Sequence, residues 1–187
     1  GGSTVDAIRS RLIDEIEGIT AAMVYENSTG VVDAEGRPAH SIQAVVYPST
    51  VDGFEVATLL FERKAAGIET FGAVSDAVVD TMGVTHTLNW DWASSVGIDL
   101  RITALVTDSD YPADGNDQIE TAFQDYILSL ATPGVDVYWH TIMGAVSAVP
   151  GIVSLTVNIR RDADVYAAAN VTIGDSEVAQ PGTFTIL

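Results

Sequence analysis

The chain has 187 residues, 47% of them apolar, with 26 acidic side chains against 8 basic ones and a formal net charge of −18. That length suffices for one large domain or two small ones, the charge repels nucleic-acid phosphates and anionic membranes, and no apolar run approaches the ~18 residues of a membrane span. With no cysteine, disulfides, zinc–thiolate sites and thiol nucleophiles are excluded.

The start, Gly1-Gly2-Ser3, has no Met and reads as a tag scar (1–3), and no basic-then-apolar signal follows it. Ser3-x-x-Asp6 resembles a capping box, and Val5, Ile8, Leu12 and Ile16 then recur at helical spacing up to a stop at Gly18. Residues 19–25 are short and β-branched and read as a strand. A polar loop, 27–39, leads to a second strand over 41–47, ended by Pro48. Asp52 is placed to cap a helix whose apolar face is Phe54, Ala57, Leu60, Phe61 and Ala65. Arg63 and Lys64 sit in its last turn, where cations favour the helix dipole. Segments 75–81 and 84–91 flank Met82-Gly83 as a hairpin. The order helix, strand, strand, helix, hairpin predicts a compact α+β domain over 4–93.

A second domain is expected over 94–187. Ile98, Leu100, Ile102, Ala104 and Val106 alternate as one strand, followed by an acidic loop at 108–116. Ile119, Phe123, Tyr126, Ile127 and Leu130 mark an amphipathic helix broken by Pro133-Gly134. Tyr138, Ile142, Ala145 and Val149 fit another, broken by Pro150-Gly151. Val153, Leu155, Val157 and Ile159 alternate as a strand. Strands are also expected at 171–173 and around Phe184 and Ile186. The predicted class is α+β, two small domains, each a mostly antiparallel sheet covered by helices.

Chemistry is sparse. The carboxylates Asp108, Asp110 and Asp114 suggest a calcium loop, but the EF-hand spacing fails because Pro112 and Ala113 occupy ligand and glycine positions. The loop instead reads as an acidic surface whose Asp114 or Asn116 caps the next helix. His86 lies near Asp91, a pairing suited to acid–base work, yet alternation puts the two on opposite faces and no nucleophile motif accompanies them. His40 and His140 have no ordered partner, and the three histidines are too far apart for a local metal motif. Trp90 and Trp92 share a face at the end of a strand. They are either core or an exposed aromatic pair of the kind enriched at interfaces. Asn27-Ser28-Thr29 and Asn170-Val171-Thr172 are chance-level glycosylation triplets. Lys64 is the only lysine, and the acids are scattered, which reads as a folded acidic domain. Both a self-repelling soluble surface and a high-salt origin fit that composition. No catalytic, cofactor or metal residues are assigned.

Several pieces in order resemble the baseplate J-like family of contractile-tail phages, Mu-like phages and related injection machines. They are Gly18-Ile19-Thr20, Val24-Tyr25-Glu26-Asn27, Gly36-Arg37-Pro38-Ala39-His40-Ser41-Ile42-Gln43-Ala44-Val45-Val46, Lys64-Ala65-Ala66-Gly67-Ile68-Glu69-Thr70-Phe71-Gly72, Gly83-Val84-Thr85-His86-Thr87-Leu88 and Val149-Pro150-Gly151-Ile152. Where the family pattern leads to Arg-Pro, this chain has Trp92-Ala93, and the family's N-terminal portion is absent, so the chain reads as the later domains only. The resemblance implies a non-enzymatic wedge subunit that associates with other baseplate and tail subunits and with copies of itself. It implies a place in the virion tail baseplate, with assembly in the host cytoplasm. Two readings from other classes stand beside it: a cation-dependent enzyme using Asp108, Asp110 and Asp114, and a carbohydrate-binding adhesion module using Trp90 and Trp92.

Overall fold

The computed structural model describes residues 3–187, so Gly1 and Gly2 of the expected scar lie outside the described residues. Contacts divide the chain into two units, one through Ser94 and a second over Ser95–Leu187.

The first unit opens with helix α1 (Val5–Glu15). Its cap is Thr4 rather than Ser3: Thr4 Oγ1 accepts the Ala7 N–H at 3.2 Å, satisfying an otherwise orphaned donor. Strands β1 (Ala21–Asn27) and β2 (Ser41–Tyr47) pair antiparallel in full register. Helix α2 (Gly53–Arg63) is capped by Asp52 as expected. Its buried face is rotated from the expected one: Val56, Ala57, Leu59 and Leu60 point inward, while Phe54, in the first turn, is 49% exposed.

Strand β3 (Glu69–Phe71), not anticipated, runs parallel to the first half of β2. The hairpin of β4 (Val74–Val79) and β5 (Thr85–Trp92) forms as predicted, one residue earlier on β4. β5 then lies parallel to the last part of β2 at Val45 and Val46. The sheet is therefore mixed, in the order β1-β2-β5-β4, with the antiparallel ladders the longer ones. Ile42, Ala44 and Val46 of β2 join Ile8, Leu12 and Leu60 of the helices in the core. Ser41, Gln43 and Val45, on the other face, are buried as well. That second face is not the solvated one that simple alternation implies.

In the second unit, β6 (Ser94–Thr107) is the centre of a three-stranded sheet, β7-β6-β8, with β7 (Ile152–Arg161) and β8 (Glu177–Ile186). Ile98, Leu100 and Ile102 face the core as predicted, but the expected alternation through Ala104 and Val106 breaks. Ala104 adopts φ 52°, the register against β7 shifts after Thr103, and Leu105 takes the inner side. A bulge of one residue exchanges the faces of everything beyond it. Val106 and, across the ladder, Val153 are therefore exposed.

Helix α3 (Gly115–Ser129) buries Ile119, Phe123 and Ile127. Its first flanking residue is Asp114, yet no side chain caps it: Asp114 Oδ1 accepts from the Gln118 amide, and Asn116 Oδ1 from the Tyr111 hydroxyl. Helix α4 (Trp139–Val146) buries Ile142 and Val146, with Tyr138 exposed outside its start. Residues 171–173 form a single bridge, Val171 to Val137, rather than a strand.

Candidate interaction surfaces

The two tryptophans at the end of β5 have different environments. Trp90 is 1% exposed, inside the first unit's core. The chain at Gly72 passes so close that a Cβ there would lie 2.2 Å from the Trp90 carbonyl carbon, at φ +154°, so only glycine fits. Trp92 meets Trp90 edge to face at 5.9 Å and is only partly buried. Of the expected aromatic pair, Trp92 alone retains ring surface to offer a partner or a sugar.

His86 and Asp91 stay apart. His86 Nε2 lies 3.0 Å from Asp80 Oδ2, and its ring packs 4.9 Å from Phe61. Asp80 sits at the start of the hairpin turn and also accepts the Met82 and Val84 N–H groups. His86, then the Val84 N–H, holds its carboxyl below the ordinary aspartate range. The arrangement fixes a turn and has no nucleophile beside it. Strand alternation already sets His86 and Asp91 on opposite faces; the partner the sequence did not single out is Asp80, which meets His86 across the turn.

Asp91 instead ends a buried chain of polar groups on the second face of the sheet. Its Oδ1 accepts the Ala73 N–H at 2.9 Å and its Oδ2 the Gln43 amide at 2.7 Å. Gln43 Oε1 accepts from Arg37 Nε at 2.7 Å, and Arg37 pairs with Asp33 at 3.2 Å. The Arg37 guanidinium lies 4.5 Å from the Tyr25 ring centre, a favourable cation–π placement. Asn27 closes the covering loop by donating to the carbonyls of Val31, Arg37 and Pro38. With its amide buried and so engaged, Asn27 offers no room for a glycan. Arg37, Gln43 and Asn27 were not singled out from the sequence. The signal was present in the Gly36–Gln43 piece, whose arginine and alternating polar side chains need buried partners.

The acidic loop is held by Tyr111. Its ring covers Gly115, and its backbone passes 2.1 Å from where a Gly151 Cβ would stand, with Gly151 at φ +75°. Burial and the Asp117 carboxylate push the Tyr111 hydroxyl pKa up. Asp108, Asp110 and Asp114 are exposed. Among the described residues no group of three His, Asp or Glu side chains converges on a metal-sized space. No helix among them is long and apolar enough to cross a membrane.

In the second unit one carboxylate ties the sheet together. Asp99, on β6, receives two contacts from the Arg160 guanidinium of β7, at 2.9 and 2.8 Å. It also accepts the Thr183 N–H of β8 at 2.7 Å. Arg160 and Arg101 both stack on Tyr166, at 4.4 and 4.1 Å. Arg161 binds Glu177 at 2.7 Å and the Thr172 carbonyl. Asp99 raises the Arg160 pKa, and Arg161 lowers that of Glu177, helped by the Gly174 N–H. A cavity of about 270 Å³ beside Arg160 and Arg161 therefore faces guanidiniums already matched by carboxylates.

Residues 98–187 match the Baseplate J-like protein C-terminal domain. No curated relative matches the chain. Among solved structures, 96% of this chain superposes on a chain of the cryo-EM structure of the anti-feeding prophage (AFP) baseplate, 6-fold symmetrised, with a TM-score of 0.61 and 14% identity. The chain spans 37% of the length of that protein. At this identity the superposition speaks for the fold, first unit included, while the family match speaks for the second unit. Residues 98–187 are thus similar to the C-terminal domain of baseplate J-like proteins, and the fold of the whole chain is shared with a baseplate protein.

Proposed function

We propose that this chain is a structural subunit of the baseplate of a phage or phage-like contractile tail, built into the assembly beside other baseplate subunits and copies of itself. The observation that carries the reading is the family match over 98–187, made more specific by a fold shared with a baseplate protein along 96% of the chain. The side chains support it. Asp91, Asp99, Arg160 and the His86–Asp80 pair are engaged in a turn and on the faces of the sheets. A protein of this kind works mechanically: copies hold one arrangement around the tail axis and pass to another when contacts at the rim change. In this reading the chain is not an enzyme, is assembled in the host cytoplasm, and has two independently folding domains.

Immunogold electron microscopy of tailed particles from the source, with antibody raised against these residues, tests the assignment. Label at the tail tip is expected. Absence of label from intact and disrupted tails, with the protein present elsewhere, would overturn it. Expression of residues 95–187 alone tests the domains, with cooperative unfolding expected.

A further inference from the structure

We propose that a groove on the first unit, between the end of α1 and the outer side of α2, docks a basic amphipathic segment of a different protein. The groove has a volume of about 650 Å³. Buried Ile16 and Leu59 line it together with Phe54, whose ring is left 49% exposed although the rest of α2's apolar face is covered. Glu15, Glu17, Asp52, Glu55, Thr58 and Glu62 complete the lining, and no lysine or arginine does. Glu15 is matched by Arg11 and Arg63, and Asp52 Oδ1 is taken by the Phe54 N–H. Glu17, Glu55 and Glu62 form no ion pair among the described residues. An apolar strip under a rim of uncompensated carboxylates is complementary to a helix that carries an apolar anchor flanked by cations.

A second copy of this chain is a poor source of that segment, because its few bases are already engaged. Arg9 binds the Ala22 carbonyl at 2.8 Å, Lys64 the Ile68 carbonyl at 3.0 Å, and Arg11 and Arg63 hold Glu15. Arg37 is buried, and Arg160 and Arg161 are matched by Asp99 and Glu177. Arg101 lies flat on Tyr166. The cations are therefore assigned to another protein. This inference stands on the first unit's groove and not on the baseplate reading.

The test uses the full chain and a fluorescein-labelled helical peptide of Lys, Leu and Ala, about four turns long, followed by fluorescence anisotropy. Glu55→Lys with Glu62→Lys should weaken binding about tenfold, through lost attractions and new repulsions at an exposed rim. Phe54→Ala should weaken it about threefold by removing the apolar contact. Asp110→Lys with Asp125→Lys makes the same change in net charge outside the groove and should alter the affinity less than about twofold. A peptide with Glu in place of Lys should not bind. Equal weakening by both charge-reversed pairs would reduce the attraction to net charge and overturn the proposal, as would absence of binding by the unaltered chain. Sedimentation equilibrium closes the remaining possibility: self-association abolished by Glu55→Lys with Glu62→Lys would assign the groove to a second copy, against the proposal.

Discussion

Replacing Arg37 by methionine removes the hub of the buried polar chain on the first unit while keeping an unbranched side chain of similar reach. Gln43 Oε1 loses a charge-assisted hydrogen bond of 2.7 Å in a buried site, a loss of about 1.5 to 3 kcal/mol. The contact with the Tyr25 ring contributes about 0.5 to 1 kcal/mol. The largely buried pair with Asp33 adds about 1 kcal/mol. The methionine regains part of this through its own burial. The first unit should therefore lose about 3 kcal/mol of stability, the scale of a buried pair broken from one side.

Urea unfolding followed by tryptophan fluorescence reads this in a Trp139→Phe background, where the remaining indoles, Trp90 and Trp92, both report the first unit. Gln43→Leu in the same background removes the partner left stranded. The double variant should be more stable than the sum of the single losses predicts, by about 1 to 2 kcal/mol. A loss below about 1 kcal/mol for Arg37→Met, or strict additivity in the double variant, would refute the view that these groups act as one network.

Trp90→Ala should cost about 3 to 5 kcal/mol as a core deletion, and Trp92→Ala clearly less, by the same denaturation assay. Gly151→Ala forces a Cβ against the Tyr111 backbone at φ +75°. It should lower the second unit's stability by more than about 1 kcal/mol, measured by calorimetry. The folded-state pKa of Glu177 lies below its unfolded value, chiefly because of Arg161. Its contribution is therefore complete above the ordinary glutamate range and lost as pH falls through the folded pKa. Glu177→Gln should flatten that acid limb in urea titrations across pH. With a net charge of −18, the melting temperature should rise between low and molar salt as repulsion is screened, and an unchanged value would refute that account.

Local periodicity made much of the fold legible. The α3 stripe of Ile119, Phe123 and Ile127 and the hairpin of β4 and β5 need only patterns within a window of some ten residues. What failed was set elsewhere. β3 has three residues, too few to show a period, and exists because β2 offers it an edge. The Ala104 bulge is a backbone conformation without a residue signature, so Val106 was assigned to the core. Phe54 was counted as core because apolar residues usually are, whereas its place in the first turn leaves it outside. For the interaction surfaces the gap is wider. Asp99 was not singled out from the sequence: it alternates with core residues, and its partners lie 61 and 84 residues away, beyond any local pattern. The family resemblance draws on pieces spread along the chain, and the family match over 98–187 contains one of them, Val149-Pro150-Gly151-Ile152.

The Asp99 clamp also governs how the second sheet opens. A three-stranded sheet has two edges, each ordinarily free to fray at its own rate. Here the β7 edge and the β8 edge answer to the same carboxylate. Peeling β8 exposes Asp99 to water and weakens its hold on Arg160; peeling β7 strands the Asp99 charge beside β8. The shared carboxylate couples the two edges, so loosening one is expected to loosen the other and the sheet to exchange its edge amides as one cooperative unit.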